Sequence, residues 1–454
     1  MSSITKRSKY EIDMCNGTIM DKLISFSLPL MLSGILQLMF NAVDIIVIGR
    51  FSGSQSLAAV GSTTALINMF TNLFIGISLG ANVLSARFYA AGKDKEMSET
   101  VHTAITLALI SGIIMVFVGL IFAKPVLELM DTPDDVINLS TLYMRIYFMG
   151  MPFFMLYNYG ASILRAVGDT KRPLFFLIIA GIANAGLNMC LVIIFHLGVA
   201  GVAIGTVISQ FISSVLVLRC LYQSQTSYQL RFSKLKINVE YLEQIFQVGI
   251  PAGIQSTVIN FSNVLLQSSV NSFGSIAMAG YTAANNIFGF LYVTVNAVTQ
   301  ACMSFTSQNY GVGKWKRMDR VLIDCLILSF IAMMILGNSA YFFGPKLLTI
   351  YTSNPKVIQC GMEILLYTTV TYFLCGFMDL FPGALRGMGR SGVPMILSII
   401  GTRIVWIFWI FPSHRSLDIL FISYPASWII TIILQVICYY FVRKQLYGKK
   451  IAQA

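Results

Sequence analysis

The sequence predicts an all-α polytopic membrane protein. It reads as twelve transmembrane helices in two six-helix lobes, related by a pseudo-two-fold axis along the membrane normal. Three observations carry this. Of 454 residues, 56% are hydrophobic and only 11% charged, whereas a soluble domain carries about 25% charged residues. Apolar stretches recur from end to end, each of roughly 20 residues or more, long enough for a hydrocarbon core of about 30 Å. The chain also repeats itself at an offset of 221 residues, close to half its length. An outer-membrane barrel would alternate apolar and polar residues over shorter segments.

The spans lie near 23–49, 57–83, 99–123, 136–164, 173–195, 198–220, 241–272, 276–305, 321–344, 357–385, 393–412 and 417–442. With the N-terminus in the cytoplasm, 24 of the 31 Lys and Arg fall on the cytoplasmic side. The outside takes Arg50, Lys124, Lys346, Lys356 and Arg415, while Arg145 and Arg403 fall within or at the edges of spans. This is the positive-inside bias, and an even number of spans puts both termini in the cytoplasm. The net charge of +12 therefore speaks for membrane topology and against nucleic acid. The first apolar run is too long for a signal-peptide core, and no small-residue cleavage site follows it. The eight Cys show no CxxC pairing and mostly lie in spans, as small buried hydrophobes do.

The repeat is explicit. "LRAVGDTKRP" (164–173) matches "LRGMGRSGVP" (385–394), and "YAAGKDKEM" (89–97) matches "YGVGKWKRM" (310–318). A duplicated six-span unit returns the chain to its starting side, so the halves are parallel, as in transporters with a central cavity. The expected organisation is an N-terminal lobe at 1–220, a basic cytoplasmic linker at 221–240 and a C-terminal lobe at 241–454. The linker reads as an ordinary loop or a short helix on the membrane surface.

Polar residues inside the spans keep helical spacing. Gln37, Asn41 and Asp44 share one face of the first span, and Asn184 and Asn188 one face of the fifth. Thr206 and Gln210 are one turn apart on the sixth, and Asn260, Asn263, Gln267 and Asn271 form a stripe on the seventh. Such groups cannot face lipid with donors and acceptors unpaired. A lone amide reads as an interhelical hydrogen bond, worth roughly 0.6 kcal/mol. Asp44 reads as functional, because a mid-span Asp costs about 2.5–3.5 kcal/mol. It lies roughly 7.5 Å from the outer end of its span at 1.5 Å per residue. A carboxylate that meets water in one conformation and not in another binds a proton or cation differently in each, which couples an ion gradient to a shape change. Asp379 is a second intramembrane acid, and its repeat partner is the uncharged Asn158. Pro29, about four turns before Asp44, removes a backbone hydrogen bond and reads as a hinge or a fixed kink.

The stretches "LPLMLSGILQLMFNAVDIIVIGRFSGSQSLAAVG" (28–61), "ARFYAAGKDKE" (86–96), "ILRAVGDTKRP" (163–173), "LGVAGVAIGTVISQ" (197–210) and "ALRGMGRSGVP" (384–394) resemble the multidrug and toxic compound extrusion (MATE) transporter family. The resemblance runs through both halves. It implies a V-shaped cleft between two lobes and antiport, with Na+ or H+ entering while organic, often cationic, compounds leave. It implies an N-lobe ion pocket of an Asp and a Gln seven residues earlier, here Asp44 and Gln37. On the fifth and sixth helices the implied Asn, Asp and Thr read Asn184, Asn188 and Thr206, so an amide replaces the second carboxylate. The Glu that some relatives carry on the seventh helix is here Ile259, and Asp379 matches a tenth-helix acid loosely.

The expected function is thus secondary-active export of organic, cationic or amphiphilic compounds across the plasma membrane in exchange for H+ or Na+. Asp44, Gln37, Asn41, Asn184, Asn188 and Thr206 would form the coupling site. Asp379, Asn260, Asn263 and Gln267 would form a possible C-lobe substrate or coupling site, with Pro29 as the hinge. If Na+ is the ion, its site would be Asp44, Asn184, Asn188 and Thr206. No cofactor, resident metal or nucleic-acid partner is expected; small organic substrates and membrane lipids are the partners, and the chain is expected to be a monomer. One alternative is a flippase of lipid-linked saccharides of the same superfamily, which a cationic central cavity would favour. Another is a membrane-embedded enzyme, against which stand only three His and no HExxH or GxSxG motif.

Overall fold

A computed structural model describes residues 9–130, 132–399 and 405–451; the assignments made above for Lys6, Arg7 and Arg403 fall outside them. In hydrocarbon each backbone N–H and C=O needs a partner within the protein, and a helix supplies both within one segment. The described residues accordingly form helices and no strand. The first half holds α1 (Met20–Phe51), α2 (Gly53–Ala90), α3 (Asp94–Leu129), α4 (Asp134–Met149), α5 (Met151–Ala166), α6 (Lys171–Met189) and α7 (Gly198–Gln223). The second holds α8 (Val239–Asn271), α9 (Ser275–Gly311), α10 (Trp315–Phe342), α11 (Gly344–Thr349), α12 (Pro355–Thr369), α13 (Tyr372–Gly387), α14 (Gly392–Ile399) and α15 (Leu417–Ile451).

Among the described residues eight helices are long and apolar enough to cross a membrane, and α12 with α13, bent by 46° at their junction, makes up to nine. The expected span at 136–164 is the pair α4–α5, broken at Gly150. The span at 393–412 begins as α14 and resumes at a π-helical turn, Trp406–Ile410, with 400–404 outside the described residues.

The repeat is visible in the element boundaries. At the offset of 221, the starts of α3 and α10, of α4 and α12, of α5 and α13, and of α6 and α14 coincide. Gly168 (φ +97°) and Gly389 (φ +80°) are left-handed at matching positions of the quoted motif, a conformation that favours glycine. At Gly168 a side chain would also strike the Ile12 backbone, 2.6 Å from where its Cβ would stand. Each half also carries a π-helical turn near the end of its fifth span, at Cys190–Ile194 and Trp406–Ile410.

The chain divides into two units, but not within the linker as expected. One unit comprises residues 9–13 and Leu28–Gly253, the other Met14–Ser27 and the described residues from Ile254 on. Both continuous helices that pass from one unit to the other, α1 and α8, do so within two residues of a proline, Pro29 and Pro251. The 224–238 connector is tied into the first unit rather than lying free. Leu230 is fully buried, and its N–H donates to the Leu221 carbonyl at 3.1 Å. The Arg231 N–H donates to His102 Nε2 at 3.1 Å, and the Asn238 amide to Glu99 Oε2 at 2.7 Å. A single 3₁₀ turn, Phe232–Lys234, stands where a surface helix was one of the expectations.

In the first unit α3 shows how these helices pack. Its buried face carries Ala104, Ala108, Ser111, Gly112, Met115 and Gly119. A Cβ on Gly112 would stand 2.4 Å from Pro152 Cα, so only glycine admits α5 this closely. The opposite face exposes Ile110, Ile113, Ile114, Phe117 and Ile121 to the hydrocarbon. The second unit buries its own core around α9, including Tyr281, Phe288, Leu291 and Val295 with Ile364, Tyr372 and Trp428.

Candidate functional site

In the first unit α1, α6 and α7 bring Asp44, Asn184, Asn188 and Thr206 together. Their registers explain this: Asn184 and Asn188 are one turn apart on α6 and both buried, at 4% and 0% exposure. Gly181 on the same helix admits the Phe40 ring of α1, which a Cβ would meet at 1.7 Å. Asn188 is the organiser. Its Nδ2 donates to Asp44 Oδ1 and, at 3.3 Å, to Asn184 Oδ1. Asn184 Nδ2 in turn donates to Thr206 Oγ1 at 3.4 Å, and the Thr206 hydroxyl is also in hydrogen-bonding reach of Asp44. Gly205 on α7 makes room for Asn188; a Cβ there would lie 2.1 Å from Asn188 Oδ1.

Two buried acceptors at this site have no hydrogen-bond partner among the described residues, Asn188 Oδ1 and Gln210 Oε1. A buried acceptor left unpaired costs about 1–3 kcal/mol. Together with the Asp44 carboxylate they make the site a place where a proton or small cation gains partners. Tyr143 and Tyr147 of α4, both in the electrostatic field of Asp44, complete the surroundings, with Tyr147 next to the Gln210 amide. The two tyrosines lie on a span that sequence reasoning read for hydrophobicity alone; their spacing of one turn was the available signal.

Asn41 and Gln37 lie one and two turns back along α1 and are exposed, outside this hydrogen-bonded group. Asp44 itself is half-buried.

In the second unit Asp379 on α13 is gathered with different residues from those expected. Its neighbours are Tyr292 on α9, a hydrogen-bond partner, and the Arg386 charge two turns along its own helix. Tyr292 also meets Asn296, which accepts from Gln300, and Arg386 Nη2 donates to Gln255 Oε1 at 2.6 Å. Asn260 and Asn263 are exposed on α8, and Gln267 donates along its own helix to Asn271 Oδ1 at 2.8 Å. Arg386 is half-buried on α13, because the quoted repeat motif begins inside the helix.

An all-helical membrane fold built from a duplicated unit is the arrangement of a transporter. The comparisons agree. A sequence profile of the MatE family matches residues 29–190 and 251–410, and the chain belongs to that family of membrane transporters. It is 29% identical over 436 residues to the probable multidrug resistance protein YoeA of Bacillus subtilis (strain 168), covering 92% of this chain and 93% of that one. It is 24% identical over 389 residues to the multidrug export protein MepA of Staphylococcus aureus (strain NCTC 8325 / PS 47), covering 84% and 85%. A solved outward-facing structure of a multidrug resistance MATE family transporter of the MOP superfamily shares the fold, with a TM-score of 0.89 at 20% identity over 98% of this chain and 100% of that one.

Proposed function

We propose that this transporter exports organic, cationic or amphiphilic compounds across the plasma membrane by antiport, with Asp44 as the group that takes up the coupling ion. The observation that carries the reading is the Asn188-to-Asp44 hydrogen bond inside a buried group that still holds unpaired acceptors. The printed names of YoeA and MepA, multidrug resistance and multidrug export, support the substrate class. H+ is favoured over Na+ because Asp44 is the sole carboxylate among Asp44, Asn184, Asn188 and Thr206, and a lone carboxylate is neutralised by one proton without further ligands. Loss of the Asp44 charge would free the Asn188 amide and let α1 rearrange. Pro29, beside the point where α1 passes between units, is the bending position in this scheme. Asp379 and Arg386 carry opposite charges on one helix, so this pair adds no net positive charge of the kind an acidic lipid-linked saccharide would need.

The test is efflux of a cationic dye in everted vesicles under imposed H+ or Na+ gradients. One charge crossing the potential supplies about 2.3 kcal/mol per 100 mV, close to fifty-fold in accumulation. Asp44→Asn is expected to lose that gradient-driven accumulation. Full retention would refute the role assigned to Asp44.

A further inference from the structure

The first unit contains a cavity of about 570 Å³ far along α6 and α7 from Asp44, at the helix ends that the charge bias assigns to the cytoplasm. This lies within the range of ligand sites, about 300–1,000 Å³. We propose that it binds an anionic phospholipid, with the phosphate on Arg172 and Arg219 and an acyl chain against Phe176 and Leu216.

The lining is graded. Arg172 is in the first turn of α6, and Phe176 is one turn deeper on the same helix. Arg219 is in the last two turns of α7, and Leu216 is one turn deeper there. Each helix thus presents a guanidinium outward and an apolar side chain toward the hydrocarbon. Ser224, Thr226 and Gln225 add polar groups at the mouth. Just outside, Phe175 and Ile179 on α6 and Phe211 and Val215 on α7 are exposed as lipid-facing residues are.

Arg172 is held in position. Its Nε bonds Asp169, its backbone N–H donates to Asp169 Oδ1 at 3.1 Å, and its Nη2 donates to the Tyr228 hydroxyl at 3.4 Å. The Tyr10 ring lies 5.6 Å from the guanidinium carbon. Asp169 and Glu11 are the nearby carboxylates, and neither lines the cavity. Glu11 accepts from Tyr228 at 2.6 Å and from Tyr89 at 2.7 Å. Burial and that carboxylate push the Tyr228 phenol up, so it keeps the proton it donates. Arg219 is exposed and in no ion pair among the described residues, so it brings the uncompensated positive charge. Arginine's planar fork suits phosphate, and basic recesses between helices on the cytoplasmic side are where acidic headgroups bind.

The test is native mass spectrometry of the purified full-length chain, titrated with phosphatidylglycerol or with phosphatidylcholine of the same acyl chains. Phosphatidylglycerol is expected to bind more tightly. Arg219→Gln is expected to lower its affinity about fivefold, from roughly 1 kcal/mol per basic residue, while Lys95→Gln, an exposed cation outside the cavity, leaves it unchanged. Leu216→Trp fills the apolar floor without altering charge and is expected to weaken binding of both lipids. Equal binding of the two lipids, or equal effects of Arg219→Gln and Lys95→Gln, would overturn the proposal. So would displacement of the lipid by millimolar inorganic phosphate, which would assign the cavity to a soluble anion.

Discussion

Replacing Asn188 by Asp is expected to change the ion preference of the proposed site in the first unit. In the structure Asn188 lends an N–H to Asp44; as an aspartate it would lend a second negative charge instead. Two carboxylates about 4 Å apart repel by about 4 kcal/mol at an effective dielectric of about 20. Relief of that repulsion by any bound cation is worth nearly a thousandfold in affinity, at 1.4 kcal/mol per factor of ten. Asn184 Oδ1 and Thr206 Oγ1, already facing the pair, supply the further oxygens that Na+ needs. Asn188→Asp is therefore expected to make thermal stability and dye efflux respond to Na+ in the millimolar range, where the parent chain is expected to respond to H+ alone. Fluorescence-detected thermal shift against NaCl, with KCl as the ionic-strength control, reads the first; everted vesicles read the second. A variant with the parent's ion response would refute the reasoning that Asn188 decides how much negative charge the site holds.

Gly205→Ala places a methyl 2.1 Å from Asn188 Oδ1, so Asn188 has to leave Asp44. Overpacking of this kind costs about 1–3 kcal/mol, and the expected outcome is a lowered melting temperature together with impaired gradient-driven efflux. Asp379→Asn leaves the Arg386 charge without its neighbour and is expected to cost more stability than Asp379→Asn combined with Arg386→Gln. A coupling of about 1 kcal/mol or more in that double-mutant cycle would show the interaction; additive losses would show that the two charges do not meet.

The fold was legible because hydrocarbon leaves so few choices. Length and apolarity of the spans, the Lys and Arg bias and the offset of 221 residues all follow from backbone satisfaction and duplication. Asp44, Asn184, Asn188 and Thr206 were legible for a related reason: each is a polar side chain that its span could not turn toward lipid. Helical periodicity put Gln37 and Asn41 on the Asp44 face of α1, and both are exposed there. A shared face on α1 does not by itself say which of its residues the amides of α6 bond; that is Asp44. The neighbours of Asp379, Tyr292 and Arg386, were not legible. Tyr292 and Asn296 sit on a helix whose polar residues are spread, and Arg386 looked like an interfacial cation because its motif follows a helix end. The division into contact units near Pro29 and Pro251 was not legible, because it falls within uninterrupted apolar helices where composition does not change.

The most direct measurement of Asp44's role is proton release on substrate binding. A weakly buffered solution of the purified transporter with a pH-sensitive dye, mixed with a cationic substrate, reports it. The parent chain is expected to release about one proton per substrate bound at neutral pH, and Asp44→Asn none while still binding substrate. Undiminished release from Asp44→Asn would place the exchanged proton on another residue and contradict the account.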